Sequence, residues 1–127
     1  MIKLVFCLRR RPELSREEFQ RYWREQHAPL VRRHAETLGI RRYVQVHTRP
    51  TPFDEALRAP RGAPEPFDGV AETWWDDEDA LARSGATHEG RAAARELIED
   101  EKRFADLARS PIWVAVEHEF VGADAAS

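Results

Sequence analysis

The sequence predicts an α+β fold in which four antiparallel strands carry helices on one face. Two observations predict it. Strand-like and helix-like segments follow one another in the order β-α-β and then β-α-β, which is the split arrangement of a ferredoxin-like fold. The first and last strand segments are also apolar on both faces, so the sheet face without helices would be an exposed apolar patch. We therefore expect a homodimer joined through the sheets, because a second copy would cover that face.

The first half of the pattern is defined by a strand and a capped helix. In residues 2–8, Ile2, Leu4, Phe6 and Leu8 are apolar on one face, and Val5 and Cys7 are apolar on the other. This pattern predicts a strand that is buried on both faces. The side chains of Ser15 and Glu18 can each accept a hydrogen bond from the other's backbone N–H, which forms a capping box. This box predicts a long helix over residues 16–38, and Gly39 supplies its C-terminal stop.

The middle of the chain predicts two strands separated by a proline-rich loop. Residues 40–48 alternate between apolar and polar side chains and predict the second strand. Residues 49–66 contain five prolines and predict a long irregular loop, which in a compact domain is usually functional or mobile. Residues 67–75 predict the third strand, and the two aspartates that follow can cap a short helix over residues 78–83.

The last part of the chain predicts a second long helix and a fourth strand. Thr87 can cap this helix, which we expect to reach about Ala108, where a Ser-Pro pair breaks it. Residues 112–121 predict the last strand, and residues 122–127 predict a flexible tail. Residues 1–121 are thus expected to form one domain.

Composition excludes several classes of protein. The chain has 127 residues, of which 42% are hydrophobic and 34% charged, an ordinary balance for a single globular domain. Its net charge of -3 offers no global positive field for nucleic acid or anionic lipid. Cys7 is the single cysteine, so no intrachain disulfide can form, and no run is long enough to span a membrane. We expect a cytoplasmic protein with no nucleic-acid or membrane partner.

The first long helix carries a histidine among bulky apolar side chains. At 100° per residue, Trp23, His27 and Val31 lie on the arc that faces the sheet. Pro29 removes one backbone donor, so we expect a kink that opens space beside His27. The functional interpretation is an acid, a base or a hydrogen-bond donor at the wall of a pocket, and the alternative is a core histidine satisfied by a neighbour. The predicted ligand-pocket residues are Trp23, Leu30, Val31, His34 and Tyr43.

The second long helix raises a matching question, because Glu101 lies at the centre of its apolar stripe. A buried carboxylate must pair with a cation or become protonated, since its charge is expensive without water. Glu101 could therefore form a structural salt bridge with an arginine, or share a proton with His27 or His34. In the second case His27 and Glu101 would be a catalytic acid/base pair.

Several chemistries have no matching motif in the sequence. It contains no phosphate-binding glycine loop, no G-x-S-x-G, no C-x-x-C and no H-E-x-x-H. The five histidines include no pair at helical i, i+3 or i+4 spacing, which argues against a metal site. Cys7, on a central strand, fits an inert core position better than a nucleophile. We therefore expect neither a metal nor a cofactor.

Several segments together resemble the EthD family. The segment KLVFCLRRRPELSREEFQRYWREQHAPLV matches the family's strand and its W-x-x-x-H-[AG]-P-L helix. The segments FDGVAETWW, EDEKRFADLARSP and IWVAVEHEF are also similar to the family, so the resemblance covers roughly residues 1–121. In the motif the matched residues are Trp23, His27, Ala28, Pro29 and Leu30.

The resemblance implies a dimeric α+β barrel, in agreement with the strand order. It says less about activity, because the family is named for a protein needed for breakdown of ethyl tert-butyl ether alongside a cytochrome P450 system. Other relatives resemble small cofactor-free dehydratases or decarboxylases, and the wider superfamily includes cofactor-free monooxygenases and haem-handling enzymes. His27 alone is carried over by a matched motif.

Three functions follow from these observations. The first is a cofactor-independent enzyme of oxidoreductase, dehydratase or decarboxylase type that acts on a small apolar or aromatic compound. The second is a non-catalytic accessory or ligand-binding protein that supports an oxygenase or a degradation pathway. The third, haem binding through a histidine, has no support beyond the histidines themselves. A closed pocket with His27 and a second titratable group would favour the enzyme.

Overall fold

The computed structural model describes residues 1–122. Within these residues, four strands and five α-helices follow one another. In order, they are β1 (Ile2–Leu8), α1 (Arg16–Tyr22), α2 (Ala28–Leu38), β2 (Arg42–His47), α3 (Phe53–Arg58), β3 (Gly69–Trp75), α4 (Glu78–Ser84), α5 (His88–Glu101) and β4 (Ile112–Ala115). A π-helical turn (Trp23–His27) joins α1 to α2, and 3-10 turns cover Ala59–Arg61 and Leu107–Arg109.

The four strands form one antiparallel sheet in the order β2-β3-β1-β4. This order and the element sequence confirm the predicted ferredoxin-like α+β class. The register places Phe6 opposite Ala71 in β3 and opposite Ile112 in β4. All three line the space under the helices, so α2 and α5 pack on one face of the sheet and leave the other face without a helix.

The first long helix begins and ends as predicted. The Ser15 side chain accepts from the Glu18 N–H while Glu18 accepts from the Ser15 N–H, so the capping box is complete. At the other end, Gly39 adopts the left-handed conformation with a φ of 73°, which glycine tolerates because it lacks a Cβ. Ordinary α-helical geometry is therefore stabilised at both ends of residues 16–38.

The distortion expected near Pro29 takes the form of a π-helical turn. The N–H of Ala28 donates to the carbonyl of Trp23, five residues earlier instead of four. Pro29 follows directly, at the start of α2, where a missing N–H is tolerated. The wider turn rotates Trp23 and His27 together onto the sheet-facing side, and both are buried.

The core lies between the sheet and the two long helices. Its largest fully buried side chains include Phe19, Trp23 and Phe104, with ring centroids 5.5 Å apart for Phe19–Trp23 and for Phe19–Phe104. Trp23 lies directly on Gly69 of β3, where a Cβ would come within 2.3 Å of the indole ring. The glycine thus permits the close contact between the π-helical turn and the sheet.

A buried ion cluster fastens the start of β3 to the end of β1. Asp68 is 2% exposed and accepts hydrogen bonds from the Arg10 N–H at 2.8 Å, the Arg10 guanidinium at 2.6 Å and the Arg16 guanidinium at 3.1 Å. Burial by itself raises the pKa of Asp68, but these three donors outweigh it and lower the pKa. The cluster fixes where the chain returns from the 49–66 segment to the sheet.

The 49–66 segment is not wholly irregular, which corrects the sequence prediction. It contains α3 and the 3-10 turn that follows it. Pro52 lies just before α3 and Pro60 in the 3-10 turn, where proline costs no hydrogen bond, and acidic Asp54 and Glu55 favour the first helical turn. Proline count alone was therefore a poor guide to irregular backbone.

Two predicted ends were also wrong. The second long helix stops at Glu101 and not near Ala108, because the chain turns so that Ala105 bridges Arg10 beyond the end of β1. The fourth strand stops at Ala115 and not at residue 121. Its antiparallel register pairs Ala115 with Lys3, so the β1 ladder has almost no residues left to pair.

The sheet face without helices is partly charged and partly apolar. Lys3 pairs with Glu72 at 3.0 Å and lies over the Trp74 ring, 5.0 Å from its centroid, while Arg42 lies 4.5 Å from the same centroid. Trp113 on this face is 47% exposed. No helix within residues 1–122 is long and apolar enough to cross a membrane. Most of the predicted tail, 123–127, lies outside the described residues.

Candidate functional site

A cavity of about 230 Å³ lies between the helix-bearing face of the sheet and helices α2 and α5. Its wall is mainly aliphatic and aromatic, with a few polar groups that converge on it. The apolar part includes Leu4, Phe6, Trp23, Val31, Leu38, Ala71, Trp75, Leu97 and Phe104. The polar part consists of His27, Tyr43, Thr73, Ser84 and Glu101. An apolar cavity with few convergent polar groups is typical of a small-molecule site.

His27 ends the π-helical turn and is only 4% exposed. Its Nδ1 lies 2.7 Å from Oδ2 of Asp100, and its ring centroid lies 5.0 Å from that of Phe104. Asp100 sits in the last turn of α5, so the contact joins the two long helices. Since a carboxylate can only accept, Nδ1 carries the hydrogen and the lone pair of neutral His27 is on Nε2.

Asp100 is held by three donors and not by His27 alone. Its other oxygen, Oδ1, accepts from the Tyr22 hydroxyl at 2.6 Å and from the Arg103 guanidinium at 2.9 Å. Burial by itself raises the pKa of Asp100, but hydrogen bonds from Tyr22, His27 and Arg103 together lower it. Asp100 therefore stays an anion and keeps His27 in one orientation.

The Nε2 atom of His27 is turned to the cavity. Within residues 1–122, every side-chain nitrogen or oxygen that is fully shielded from solvent has a hydrogen-bond partner. Nε2 of His27 has none among these residues, so it is not fully shielded and must face open space. His27 lines the cavity, and the nearest acidic oxygen to Nε2 is Oε2 of Glu101, at 3.9 Å, which is too long for a hydrogen bond. Burial lowers the pKa of His27 despite the opposing effect of Asp100, so Nε2 is free to accept a proton at neutral pH.

Glu101 is the second titratable group at the cavity wall. Burial, with a smaller contribution from the Asp100 charge, raises the pKa of Glu101 to about 7. Among the described residues no lysine or arginine forms an ion pair with it, and the nearest titratable cation-forming group is the neutral His27, 3.9 Å away. The arginine salt bridge considered from the sequence is therefore not formed. At neutral pH Glu101 exists as a mixture of acid and anion, which is the state a proton donor needs.

The residues predicted from the sequence divide between the cavity and the surface. His27, Glu101, Trp23, Val31 and Tyr43 all line the cavity. Leu30 and His34 do not. Leu30 lines a separate surface groove, and Nε2 of His34 lies 2.9 Å from Oε2 of the exposed Glu96. The π-helical turn shifts the phase of α2 after His27, so a constant 100° step misplaces residues beyond it.

Asp100 is the functional residue that sequence reasoning missed. A signal for it exists, because Ala93, Leu97, Asp100 and Phe104 recur at spacings of four, three and four, which is one face of a helix. All of them are buried or half-buried. A carboxylate on that face needs partners, and an imidazole on the facing helix is the natural one.

The donor set of the site suits proton transfer more than metal binding. Within residues 1–122 no group of three or more histidine, cysteine or carboxylate side chains is arranged to hold a metal ion. Instead the cavity combines a base with a fixed tautomer (His27), a carboxyl group whose pKa is about 7 (Glu101) and apolar walls. Such an arrangement can remove a proton from a bound molecule and return one.

Comparison with protein families identifies the EthD domain in this chain. The model of the EthD domain matches residues 11–108, which include α1, α2, β2, β3 and α5. No protein of curated function matches the sequence. The matched range contains every titratable group of the cavity described above.

Solved structures share the fold at low sequence identity. An ethyl tert-butyl ether D family protein from Bacillus halodurans superposes with a TM-score of 0.61 at 24% identity, over 93% of this chain and 99% of that chain. A dimeric protein of unknown function with a ferredoxin-like fold from Bacteroides fragilis has a TM-score of 0.57 at 10% identity, over 90% and 93% of the two chains. SnoaB from Streptomyces nogalater, a cofactor-independent oxygenase, has a TM-score of 0.50 at 16% identity, over 93% of each chain. These likenesses show the fold.

Proposed function

The chain belongs to the EthD family, and from that premise we propose that it is a cofactor-independent enzyme that moves a proton on a small apolar or aromatic compound bound in the central cavity. His27 is the general base, Asp100 orients it and Glu101 is the acid. The observation that carries the proposal is the 2.7 Å contact of His27 Nδ1 with Asp100, because it directs the basic Nε2 into an apolar cavity.

The reaction begins when a C–H or O–H bond of the ligand breaks and its proton passes to Nε2 of His27. The electron pair of that bond stays on the ligand, and the imidazolium that forms is stabilised by the Asp100 carboxylate. Glu101 in its acid form then gives a proton to the ligand or to a leaving group. Dehydration and cofactor-free oxygenation can both begin with removal of a proton from the substrate, so the site fits these two reaction types better than decarboxylation, whose carboxylate substrate would meet no lysine or arginine among the described lining residues.

The size and polarity of the cavity support the proposed substrate class. A volume of about 230 Å³ accommodates one or two aromatic rings, and most lining side chains carry no hydrogen-bonding group. Anionic metabolites are disfavoured because the cavity wall has no lysine or arginine among the described residues to pair with them. The description of SnoaB as a cofactor-independent oxygenase agrees with a site that supplies its own acid and base.

A homodimer joined through the sheet faces is part of the same proposal. The face opposite the helices carries exposed Val46 and Trp113, which are 46% and 47% exposed, and a second copy would bury them. The protein from Bacteroides fragilis with the same fold is described as dimeric. Light scattering after size exclusion is expected to return twice the mass of one chain, and a monomer mass would contradict this part of the proposal.

The catalytic proposal is tested with nitrobenzisoxazole, an aromatic carbon acid. Removal of the proton on the carbon of its isoxazole ring turns the C=N bond into a nitrile, breaks the N–O bond and gives a coloured cyanonitrophenolate, so absorbance reports proton removal directly. We expect the wild-type protein to accelerate the reaction and His27→Ala to lose about 10²-fold or more of that acceleration. The matched control is His88→Gln, because His88 is exposed at the start of α5 and lies outside the cavity lining.

The outcomes separate the enzyme from a ligand-binding protein. Equal rates for the wild type and His27→Ala would contradict a catalytic base at His27. If the wild-type cavity then still retained an apolar compound, detected by native mass spectrometry, the accessory or ligand-binding function would replace the enzyme. If the wild-type protein showed no turnover and retained no apolar compound, both functions would be contradicted.

A further inference from the structure

A polar ladder runs along the helix-bearing side of β2. Its rungs are Tyr43, Gln45 and His47, which alternate with the outward-facing residues of the strand. Nε2 of Gln45 lies 2.9 Å from the Tyr43 hydroxyl, and Oε1 of Gln45 lies 2.8 Å from Nε2 of His47. Tyr43 lines the cavity, whereas Gln45 and His47 do not.

The orientation of the Gln45 amide follows from the backbone of the π-helical turn. Nε2 of Gln45 also lies 2.9 Å from the carbonyl oxygen of Trp23. A carbonyl can only accept, so the Gln45 atom beside it must be the NH₂ group. The oxygen of the same amide then faces His47, which donates from Nε2. The Trp23 carbonyl thus determines the direction of every hydrogen bond in the ladder.

This direction decides what the Tyr43 hydroxyl can do. It accepts a hydrogen bond from Gln45, so its own hydrogen must point elsewhere. Within residues 1–122 the Tyr43 hydroxyl donates to no other group, and the cavity is the space in front of it. Burial, with a smaller contribution from the Glu101 charge, raises the pKa of Tyr43 to about 12, so the hydroxyl keeps its hydrogen at neutral pH.

We propose that Tyr43 is a hydrogen-bond donor to the ligand, fixed in that role by Gln45, and that the ligand is an aromatic or apolar compound with a carbonyl oxygen. This inference rests on the proposed function, because it takes the cavity as the reaction site. The bond that breaks is then a C–H next to the carbonyl. The proton goes to Nε2 of His27, the C–H electron pair forms a C=C bond, the π pair of the carbonyl moves to its oxygen, and the resulting enolate accepts the Tyr43 O–H hydrogen bond.

Gln45 is a positioning residue in this arrangement, because it touches Tyr43 and not the cavity. Without its amide, the Tyr43 hydroxyl would keep only the Trp23 side chain on its acceptor side, and it could rotate away from the cavity more easily. His47 supports the amide from the other end, and its ring lies 4.6 Å from the Trp23 ring, which limits its movement. The donor direction is therefore built by side chains behind the cavity wall.

Binding of a matched pair of probes tests the inference. Acetophenone carries a carbonyl acceptor, and ethylbenzene has a similar shape without one. We expect both to bind the wild-type protein, with the infrared carbonyl band of bound acetophenone shifted to lower frequency by the Tyr43 hydrogen bond. In Tyr43→Phe the shift should disappear, and affinity for acetophenone should fall about three- to tenfold while affinity for ethylbenzene stays the same.

The positioning role of Gln45 has its own variant and control. Gln45→Leu should lose most of the band shift although Tyr43 is still present, and ethylbenzene binding should show that the cavity is intact. The control is His88→Gln, exposed at the start of α5 and outside the cavity lining, which should behave like the wild type. An unchanged band in Gln45→Leu would contradict the positioning role.

The two levels of the proposal fail in different ways. If both probes bind and Tyr43→Phe weakens them equally or not at all, the donor role of Tyr43 is overturned while the apolar cavity of the proposed function stands. If neither probe binds the wild-type protein, the cavity is not a site for small aromatic ligands, and the proposed function falls together with the inference.

Discussion

Nδ1 of His27 lies 2.7 Å from Oδ2 of Asp100, although 73 residues separate them along the chain. The contact connects the end of the π-helical turn to the last turn of α5, so it depends on how the two long helices pack on the sheet. Both side chains are at least 93% buried, which keeps water from competing for the hydrogen bond. The basic nitrogen is consequently presented to the cavity by tertiary structure and not by local sequence.

The first prediction concerns the role of Asp100 in holding the His27 tautomer. In Asp100→Asn the amide can donate to Nδ1, which would move the histidine hydrogen to Nε2 and remove the lone pair from the cavity. We expect the nitrobenzisoxazole rate to fall about 10²-fold or more, and ¹⁵N NMR to show the changed tautomer. Glu99→Gln is the control, because Glu99 is an exposed neighbour paired with Lys102. An unchanged tautomer in Asp100→Asn would refute the orienting role.

The second prediction concerns the pH dependence of stability at Glu101. Its pKa is raised from 4.5 to about 7 in the folded protein, so the folded state holds the proton more tightly than the unfolded state. The stability this contributes is present below about pH 4.5 and is lost as the pH rises through about 7. Glu101→Gln lacks this loss. Between pH 4 and pH 8 its free energy of unfolding should therefore rise relative to that of the wild type by up to about 3 kcal/mol.

Urea unfolding of both proteins at the two pH values measures this gain. Glu99→Gln is again the control, because the pKa of Glu99 is lowered by its hydrogen bond with Lys102, which gives the opposite sign. If the difference in unfolding free energy between wild type and Glu101→Gln were the same at pH 4 and pH 8, the pKa of Glu101 would not be raised in the folded protein.

Local sequence patterns predicted the fold because most of its helices and strands are marked by signals within a few residues of sequence. The capping box at Ser15 and Glu18, the stop at Gly39 and the cap at Thr87 fix helix starts and stops through bonds within a few residues. Strand alternation then gives the element order, and the short connections leave few topologies. Helix and strand ends that depend on pairing with distant segments, such as the end of α5 near Arg10, were not predictable in this way.

The candidate site was predictable only in part, for the same physical reason. His27 and Glu101 stand out because each breaks an apolar stripe on its own helix. The spacing of Asp100 on α5 signals that it is buried, but its partners Tyr22 and His27 lie far away along the chain, so local spacing does not reveal the contacts that hold it. The π-helical turn is a register shift of a single hydrogen bond, and beyond it Val31 stays at the cavity wall while Leu30 and His34 lie outside the lining.

The third prediction concerns the contact between Trp23 and Gly69. A Cβ at position 69 would lie 2.3 Å from the indole ring and 3.1 Å from the Val46 carbonyl oxygen, so the π-helical turn or the sheet would have to move. We expect Gly69→Ala to destabilise the protein by about 1 to 3 kcal/mol, measured by thermal unfolding. Gly85→Ala is the control, because the nearest atom to its added Cβ is 3.7 Å away. Equal stability of the two variants would contradict the close packing.

The fourth prediction concerns the buried ion cluster around Asp68. Asp68→Asn removes the charge that two guanidinium groups share, while leaving the side chain nearly the same size. Because the side chains of Arg10 and Arg16 are 40% and 27% exposed, water recovers part of their solvation, and we expect a loss of roughly 2 kcal/mol in unfolding free energy at pH 7.

The same variant has a defined pH dependence. The pKa of Asp68 is lowered below 3.8, so its contribution is complete above about pH 4 and is lost as the pH falls further. The difference between wild type and Asp68→Asn should therefore shrink in acid, which chemical unfolding at pH 3 and pH 7 can measure. Asp76→Asn is the control, because Asp76 pairs with Arg41 at 3.3 Å with both side chains more than half exposed, and such pairs contribute little. A loss for Asp76→Asn as large as for Asp68→Asn would show that burial does not distinguish the two ion pairs, and the cluster would then have no special part in joining β3 to β1.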